Sequence, residues 1–169
     1  FNNDDGVLYD SEGYAILING ASNVIIRNCT FSNSGYGDAI RLINAKNIQI
    51  NNVTIDNAIH GINIIDSAKT TITGSYISNN KVSGVSVAGT SKDTKVTYCN
   101  VTHNGVGFNL TSSNNVYILS NYIAYNYHGV YVNCNVTKIE IKGNFFNQNT
   151  MYEVLNDYRV RNLISSNKK

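Results

Sequence analysis

One pattern of about 23 residues recurs six times along this 169-residue chain. The copies open on small residues at Ala15, Ala39, Gly61, Gly84, Gly107 and Gly129. A period in this range means a stacked array of supersecondary units. Aligned, the copies place apolar residues in columns. The first column is Ile16, Ile40, Ile62, Val85, Phe108 and Val130, and the second is Ile18, Leu42, Ile64, Val87, Leu110 and Val132. A second pair follows, Val24, Ile48, Thr70, Thr94, Val116, Ile139 and Ile26, Ile50, Ile72, Val96, Ile118, Ile141. A last column reads Phe31, Ile55, Ile77, Val101, Ile123 and Phe146. Spacing of two within each pair is strand periodicity, and β-branched and aromatic residues suit a pleated surface. No stretch sustains helical spacing.

Each copy therefore holds three short strands, and one copy alone buries too little to offset its ordering entropy. Stacking pairs each strand with its equivalent in the next copy, in parallel. The expected fold is all-β: a right-handed, single-stranded parallel β-helix of six to seven coils, the hand following the usual crossover. Six coils at about 4.8 Å each make a rod roughly 29 Å long. The turns have columns too. Asn80, Asn104, Asn126 and Asn149 follow the last inward residue by three, where asparagine tolerates left-handed backbone and side chains can bond along a ladder. Ala21, Ala45, Ser67, Thr90 and Ser113 are read as a tight corner, and the opening glycines as positions of unusual backbone.

The strings G-I-N-I-I-D-S-A-K-T-T-I-T-G-S-Y-I-S-N-N and G-F-N-L-T-S-S-N-N-V-Y-I-L-S-N-Y-I resemble the right-handed β-helix repeats of NosD-like and pectate-lyase-like proteins. The resemblance covers roughly residues 13–150. It implies the fold and leaves the activity open, because that superfamily spans polysaccharide lyases, glycoside hydrolases, phage tailspikes and non-catalytic surface proteins. The Asn-, Ile- and Tyr-rich style is similar to adhesin-like proteins of methanogenic archaea.

The expected organisation is one domain over residues 1–164, a piece of a longer chain, with 165–169 as a frayed tail. Val7 and Leu8 read as inward residues of an earlier coil, with Asp4, Asp5 and Gly6 turning. Val154, Val160, Leu163 and Ile164 suggest a degraded seventh coil. No apolar run is long enough to span a membrane, and no leader pattern is visible. Net charge is +2, and lysine and arginine read as scattered, without a basic stripe, which argues against nucleic acid. Low charge with abundant Asn, Ser and Thr suggests an extracellular or cell-surface location. Cys29 and Cys99 share a column three coils apart, hence about 14 Å, beyond the roughly 7 Å a disulfide allows. Cys134 lies in another turn, so free, buried thiols are expected. Free thiols on an exported protein suggest an anaerobic habitat.

Five N-x-[ST] sequons occur, at Asn28, Asn52, Asn100, Asn109 and Asn135, about as many as 29 asparagines and 27 Ser/Thr give by chance. Asn100 and Asn109, outward on strands, are the candidate glycosylation sites; Asn28 and Asn52 are expected to be engaged in turns. Carboxylates scatter over several faces, against the defined pair a glycosidase needs. The Gly-His-Gly string of polygalacturonase-like enzymes is absent, as is the Asp/Arg set of calcium-dependent pectate lyases. One cluster remains: Asp38 and His60 at equivalent positions in adjacent coils, with Arg41 and Asn63 beside them. It reads either as an acid–base site or as an Asp–His hydrogen bond steadying a turn. His128 shares that column but lies three coils away. No metal-ligand spacing is present, His60, His103 and His128 belong to different coils, and no cofactor is expected.

Aromatic residues are the last feature. Tyr76, Tyr122 and Phe145 fall in one outward column with Asn100 between the first two, and Tyr117 points outward from another strand. Tyr125, Tyr127 and Tyr131 lie nearby. Exposed rings can stack on sugars, and ring ladders also stabilise sheets without a ligand. The expected function is a non-catalytic, adhesin-like extracellular scaffold for glycan or protein contact, with carbohydrate binding at Tyr76, Tyr117, Tyr122 and Phe145. Its partners are a glycan or surface protein, neighbouring modules, or a self-associating copy at the coil ends. The alternatives are a carbohydrate-active enzyme and a trimeric tailspike-like fibre.

Overall fold

A computed structural model describes residues 13–32, 35–133, 135–156 and 162–168. Val7, Leu8, Cys134 and Val160 lie outside them. The chain winds through three parallel sheets. The first holds Ile16–Asn19, Ile40–Ile43, His60–Ile65, Ser83–Ala88, Val106–Leu110, His128–Val132 and Tyr152–Asn156. The second holds Ile25–Arg27, Lys46–Asn51, Ala68–Thr73, Lys92–Thr97, Asn114–Leu119, Ile139–Lys142 and Asn162–Ser165. The third holds Thr30–Ser32, Thr54–Asp56, Tyr76–Ser78, Asn100–Thr102, Tyr122–Ala124 and Phe145–Asn147. Each strand pairs in parallel with its equivalent one coil away, in the expected register: Ile40 on Ile62, Ile50 on Ile72, Val101 on Ile123. The described residues contain no helix long and apolar enough to cross a membrane.

The inward columns form one continuous core, with Phe31, Leu42, Ile48, Ile62, Phe108 and Ile118 among its fully buried members. Two rungs of the second sheet depart from apolar chemistry. Thr70 and Thr94 are fully buried, and their hydroxyls have no hydrogen-bond partner. Burying an unpaired hydroxyl costs free energy that an isosteric methyl does not. Thr70→Val and Thr94→Val are each expected to stabilise the fold by about 1 kcal/mol, read as a higher urea midpoint at unchanged slope. A lower midpoint would show that these hydroxyls are satisfied.

Amide ladders hold the corners. Asn80 Nδ2 donates to Asn104 Oδ1 at 2.8 Å, Asn104 to Asn126 at 3.0 Å and Asn126 to Asn149 at 3.0 Å. Each Oδ1 also accepts the backbone N–H of the preceding rung. These asparagines are not left-handed, contrary to the sequence reading. The residue before each one is: Asn79, His103, Tyr125 and Gln148 all have positive φ. The opening glycines are corrected in the same way. Gly61, Gly84, Gly107 and Gly129 are absent from the positive-φ positions; a Cβ on any of them would run into the next coil's backbone and ladder.

A second ladder was only half visible in the sequence. The column of Cys29 continues through Val53, Ser75 and Cys99 into Asn121, Asn144 and Asn167. Cys99 N–H donates to Asn121 Oδ1, Asn121 Nδ2 to Asn144 Oδ1 and Asn144 Nδ2 to Asn167 Oδ1, each at 3.0 Å. Ser165–Lys168, expected to fray, are instead tied in. Ser165 ends a strand, Asn167 is a rung, and Lys168 exchanges backbone hydrogen bonds with Asn144 and Phe146. The corner between the first two sheets runs through Ser91, not Thr90: Ser91 Oγ accepts Ser67 N–H at 3.2 Å. Thr90 sits in a turn one residue longer and donates to Asp66 Oδ1 instead.

Candidate functional site

Outward positions of the third sheet form a row: Thr30, Thr54, Tyr76, Asn100, Tyr122, Phe145. Tyr122 and Phe145 stack across neighbouring coils with centroids 5.6 Å apart and planes 10° from parallel. Asn147 Nδ2 donates to the Tyr122 hydroxyl at 3.3 Å. Tyr76, 57% exposed, stands apart beyond Asn100 and has no ring partner among the described residues. Tyr117 does not join them. It points from the second sheet, between Lys95 and Glu140.

The structure adds rings that the columns did not single out. His103 and Tyr125 stack at 5.0 Å, His128 and Tyr152 at 5.6 Å, and Tyr127 meets His128 edge-on at 4.6 Å. The signal was present in sequence as ring-to-ring steps of one coil, from 103 to 125 and from 128 to 152. The rings wrap the corner from the third sheet to the first over the last three coils. Val96–Thr137 contains no Asp, Glu, Lys or Arg, so most of this corner is uncharged. Rings paired face to face along the rod present edges and hydroxyls outward. An unpaired ring such as Tyr76 keeps its face free. The Asn147 amide donates to the Tyr122 hydroxyl, and Asn100 stands in the row between Tyr76 and Tyr122.

The polar cluster assembles differently from either sequence reading. Asp38 is buried, and its Oδ2 accepts from Arg41 Nε at 2.8 Å and from Asn63 Nδ2 at 2.9 Å. His60 does not hydrogen-bond Asp38; its Nδ1 pairs with Ser83 Oγ at 2.7 Å. Burial pushes the His60 imidazole below its ordinary value, the Asp38 charge pulls the other way, and the Arg41 charge lowers it further. The net direction favours the neutral imidazole. Ser83 is fully buried, so the Ser83–His60 pair offers no exposed nucleophile. The arrangement is that of a satisfied polar patch on the outer face of the first sheet. Removing Arg41 would leave Asp38 buried with Asn63 as its remaining donor among these contacts.

Cys29 and Cys99 are both free. Burial pushes the Cys99 thiol up to about 11, although hydrogen bonds from its neighbours oppose this. As a ladder rung, accepting from Ser75 N–H and donating to Thr97 O, it is a structural group. Asn52 Nδ2 donates to Asn28 Oδ1 at 2.9 Å, so those two sequons are engaged with each other. Asn100 and Asn109 lie half-buried on outward strand positions. Among the described residues, no group of three or more His, Cys, Asp or Glu converges.

Three-sheet coiling, ladder corners and a 23-residue period coincide with a family model described as the right-handed β-helix region, matched over residues 14–168. The chain belongs to the right-handed β-helix family. No curated protein matches the sequence. Among solved structures, the chain is similar to the A-module of the Azotobacter vinelandii mannuronan C-5 epimerase AlgE6, with a TM-score of 0.59 and 13% identity. That match covers 92% of this chain and 56% of the module, so the chain spans little more than half of its length. The periplasmic alginate epimerase AlgG matches at a TM-score of 0.42 and 19% identity, over 73% of this chain and 35% of its own. A Geobacillus virus E2 protein, ORF18, matches at 0.36 and 15%, over 76% and 37%. At 13% identity the likeness to the AlgE6 module is one of fold.

Proposed function

We propose that this β-helix is a non-catalytic domain of an adhesin-like, extracellular surface protein, and that its aromatic corner is the surface that meets a glycan or a protein. The observation that carries the reading is the corner of rings, most of it uncharged, formed by Tyr76, Tyr122–Phe145, His103–Tyr125 and His128–Tyr152. Exposed rings that a monomer has no internal need to expose mark a contact surface. Rings flanked by amides suit sugars, whose apolar C–H faces lie beside hydroxyls. The satisfied Asp38–Arg41–Asn63 cluster supports contact over chemistry, since its carboxylate already has two protein donors.

A glycan array tests the reading with the wild type and a Tyr76→Ala/Tyr122→Ala/Phe145→Ala variant. The wild type should retain a subset of glycans, and the variant should lose about tenfold or more in affinity for them. Unchanged binding in the variant would remove the aromatic corner from the account.

A further inference from the structure

Among the ladder asparagines, Asn104 alone is followed by glycine. Asn80, Asn126 and Asn149 precede Lys81, Tyr127 and Thr150, and Asn121, Asn144 and Asn167 precede Tyr122, Phe145 and Lys168. The fold holds both Asn104 and Gly105 in place. The Asn104 side chain hydrogen-bonds Asn80, Ile77 and Asn126. A Cβ on Gly105 would lie 2.7 Å from Lys81 O and 2.8 Å from Val82 O, both backbone atoms of the preceding coil. That coil carries an extra residue at this corner, since Val82 N–H and Ser83 N–H both donate to Ile59 O. The corner therefore requires an Asn-Gly pair. In such a pair the side-chain amide is open to attack by the next backbone nitrogen, because glycine has no side chain to shield that nitrogen and restricts its dihedrals least.

We propose that Asn104–Gly105 is a deamidation site that the folded chain protects and the unfolded chain exposes, so that unfolding becomes irreversible there. The Gly105 nitrogen attacks Asn104 Cγ and closes a cyclic imide. The Cγ–Nδ2 bond breaks, and ammonia leaves with the proton from Gly105. Water then opens the ring at either carbonyl, leaving aspartate or isoaspartate at 104. In the folded chain each reacting group is occupied. Gly105 N–H donates to Asn80 O at 3.1 Å, Asn104 Oδ1 accepts from Asn80 N–H and Nδ2, and Asn104 Nδ2 donates to Ile77 O and Asn126 Oδ1. Asn104 is 3% exposed, which keeps water from the amide. These restraints are lost together once the corner opens. The product cannot rebuild the ladder. Aspartate turns an oxygen toward two acceptors, and isoaspartate routes the main chain through the side-chain methylene within a coil whose register is fixed on both sides. Chemical change of the unfolded chain then outruns refolding. Asn19–Gly20, the other Asn-Gly pair, is the internal comparison. Asn19 is exposed and its amide has no hydrogen bond among the described residues, so only the Gly20 N–H bond to Ile43 O, at 2.9 Å, restrains it.

Peptide mass mapping of the wild-type protein tests it. One sample is kept folded and another unfolded in guanidinium chloride with reductant, both in mildly alkaline buffer. Aliquots of each are refolded by dilution at intervals, and recovery is read by circular dichroism. In the unfolded sample Asn19 and Asn104 are both expected to gain the mass of an amide-to-acid change. In the folded sample Asn19 should still convert, whereas Asn104 should convert at least about a hundredfold more slowly than when unfolded, because the open form of a stable domain is rarer than that. Loss of refoldable protein should follow the course of Asn104 conversion, and the refolded fraction should carry the amide at 104. Asn19→Gln should leave that loss unchanged. Mildly acidic buffer, which slows imide closure, should slow Asn104 conversion and the loss together. Equal conversion of Asn104 in the folded and unfolded samples would overturn the proposal. So would an unfolded chain that converts Asn19 but not Asn104, or chains with an acid at 104 that refold as fully as those with the amide.

Discussion

Gly61→Ala is expected to destabilise the protein by about 3 kcal/mol. Its added Cβ would lie 2.6 Å from Gly84 O, 2.6 Å from Ile77 Cγ2 and 3.1 Å from Asn80 Nδ2. The first is backbone of the next coil, the second a core rung and the third a ladder rung, so none can yield alone. The same crowding recurs at Gly84 and Gly129, where the Cβ would meet Asn104 Nδ2 at 3.0 Å and Asn149 Nδ2 at 3.2 Å. Ala39 stands in the same column, and its own coil carries Ala58 where the coil of Gly61 carries Asn80. Gly74→Ala is the control. Its φ is positive, but nothing lies within 4 Å of the added Cβ, so only backbone strain of about 1 kcal/mol is expected. Urea unfolding of the two variants separates close approach from conformational freedom. Equal costs would contradict the close-approach reading.

Asn104→Ala should cost about 3 to 5 kcal/mol, more than any surface asparagine. Its Oδ1 accepts from Asn80 N–H at 3.0 Å and Asn80 Nδ2 at 2.8 Å. Its Nδ2 donates to Ile77 O at 3.2 Å and Asn126 Oδ1 at 3.0 Å. The residue is almost wholly buried, so water cannot replace these partners without opening the corner. Asn104→Asp distinguishes the amide from its shape. It keeps the acceptor for Asn80 but turns a carboxylate oxygen toward Ile77 O and Asn126 Oδ1, and it should cost at least as much near neutral pH. Asn114→Ala, on an exposed position, should stay within about 0.5 kcal/mol. A loss below about 1 kcal/mol for Asn104→Ala would show that the ladder is incidental to stability.

Sheet register was legible because its signal is redundant. A one-residue slip would turn every inward Ile or Val outward, and six copies vote on each column. The corners were legible in composition but not in mechanism. Asn104 looked like a left-handed residue because asparagine so often is one, yet the left-handed place belongs to His103, and Asn104 is held by partners 22 to 27 residues away. No local rule reports a bond between coils. Thr90 was placed in the corner because its coil carries one extra residue, which only the pairing of Lys92 with Ala68 resolves. The functional surfaces were less legible still. Tyr122 and Phe145 fall in one column and were found. His103–Tyr125 and His128–Tyr152 lie in turns, where hydrophobic periodicity is silent. The Asp38–His60 pair shows the opposite error: equivalent positions in neighbouring coils were read as bonded, whereas the carboxylate turned to Arg41 and Asn63 and the imidazole to Ser83.

The central claim is that these coils carry contact without chemistry. Incubating the protein with a panel of neutral and acidic polysaccharides, and measuring both retention and newly formed reducing or unsaturated ends on the same samples, tests it most directly. The account predicts retention on at least one polymer, lost in the Tyr76→Ala/Tyr122→Ala/Phe145→Ala variant, with no new ends on any. New ends above the protein-free control, or no retention on any polymer, would contradict it.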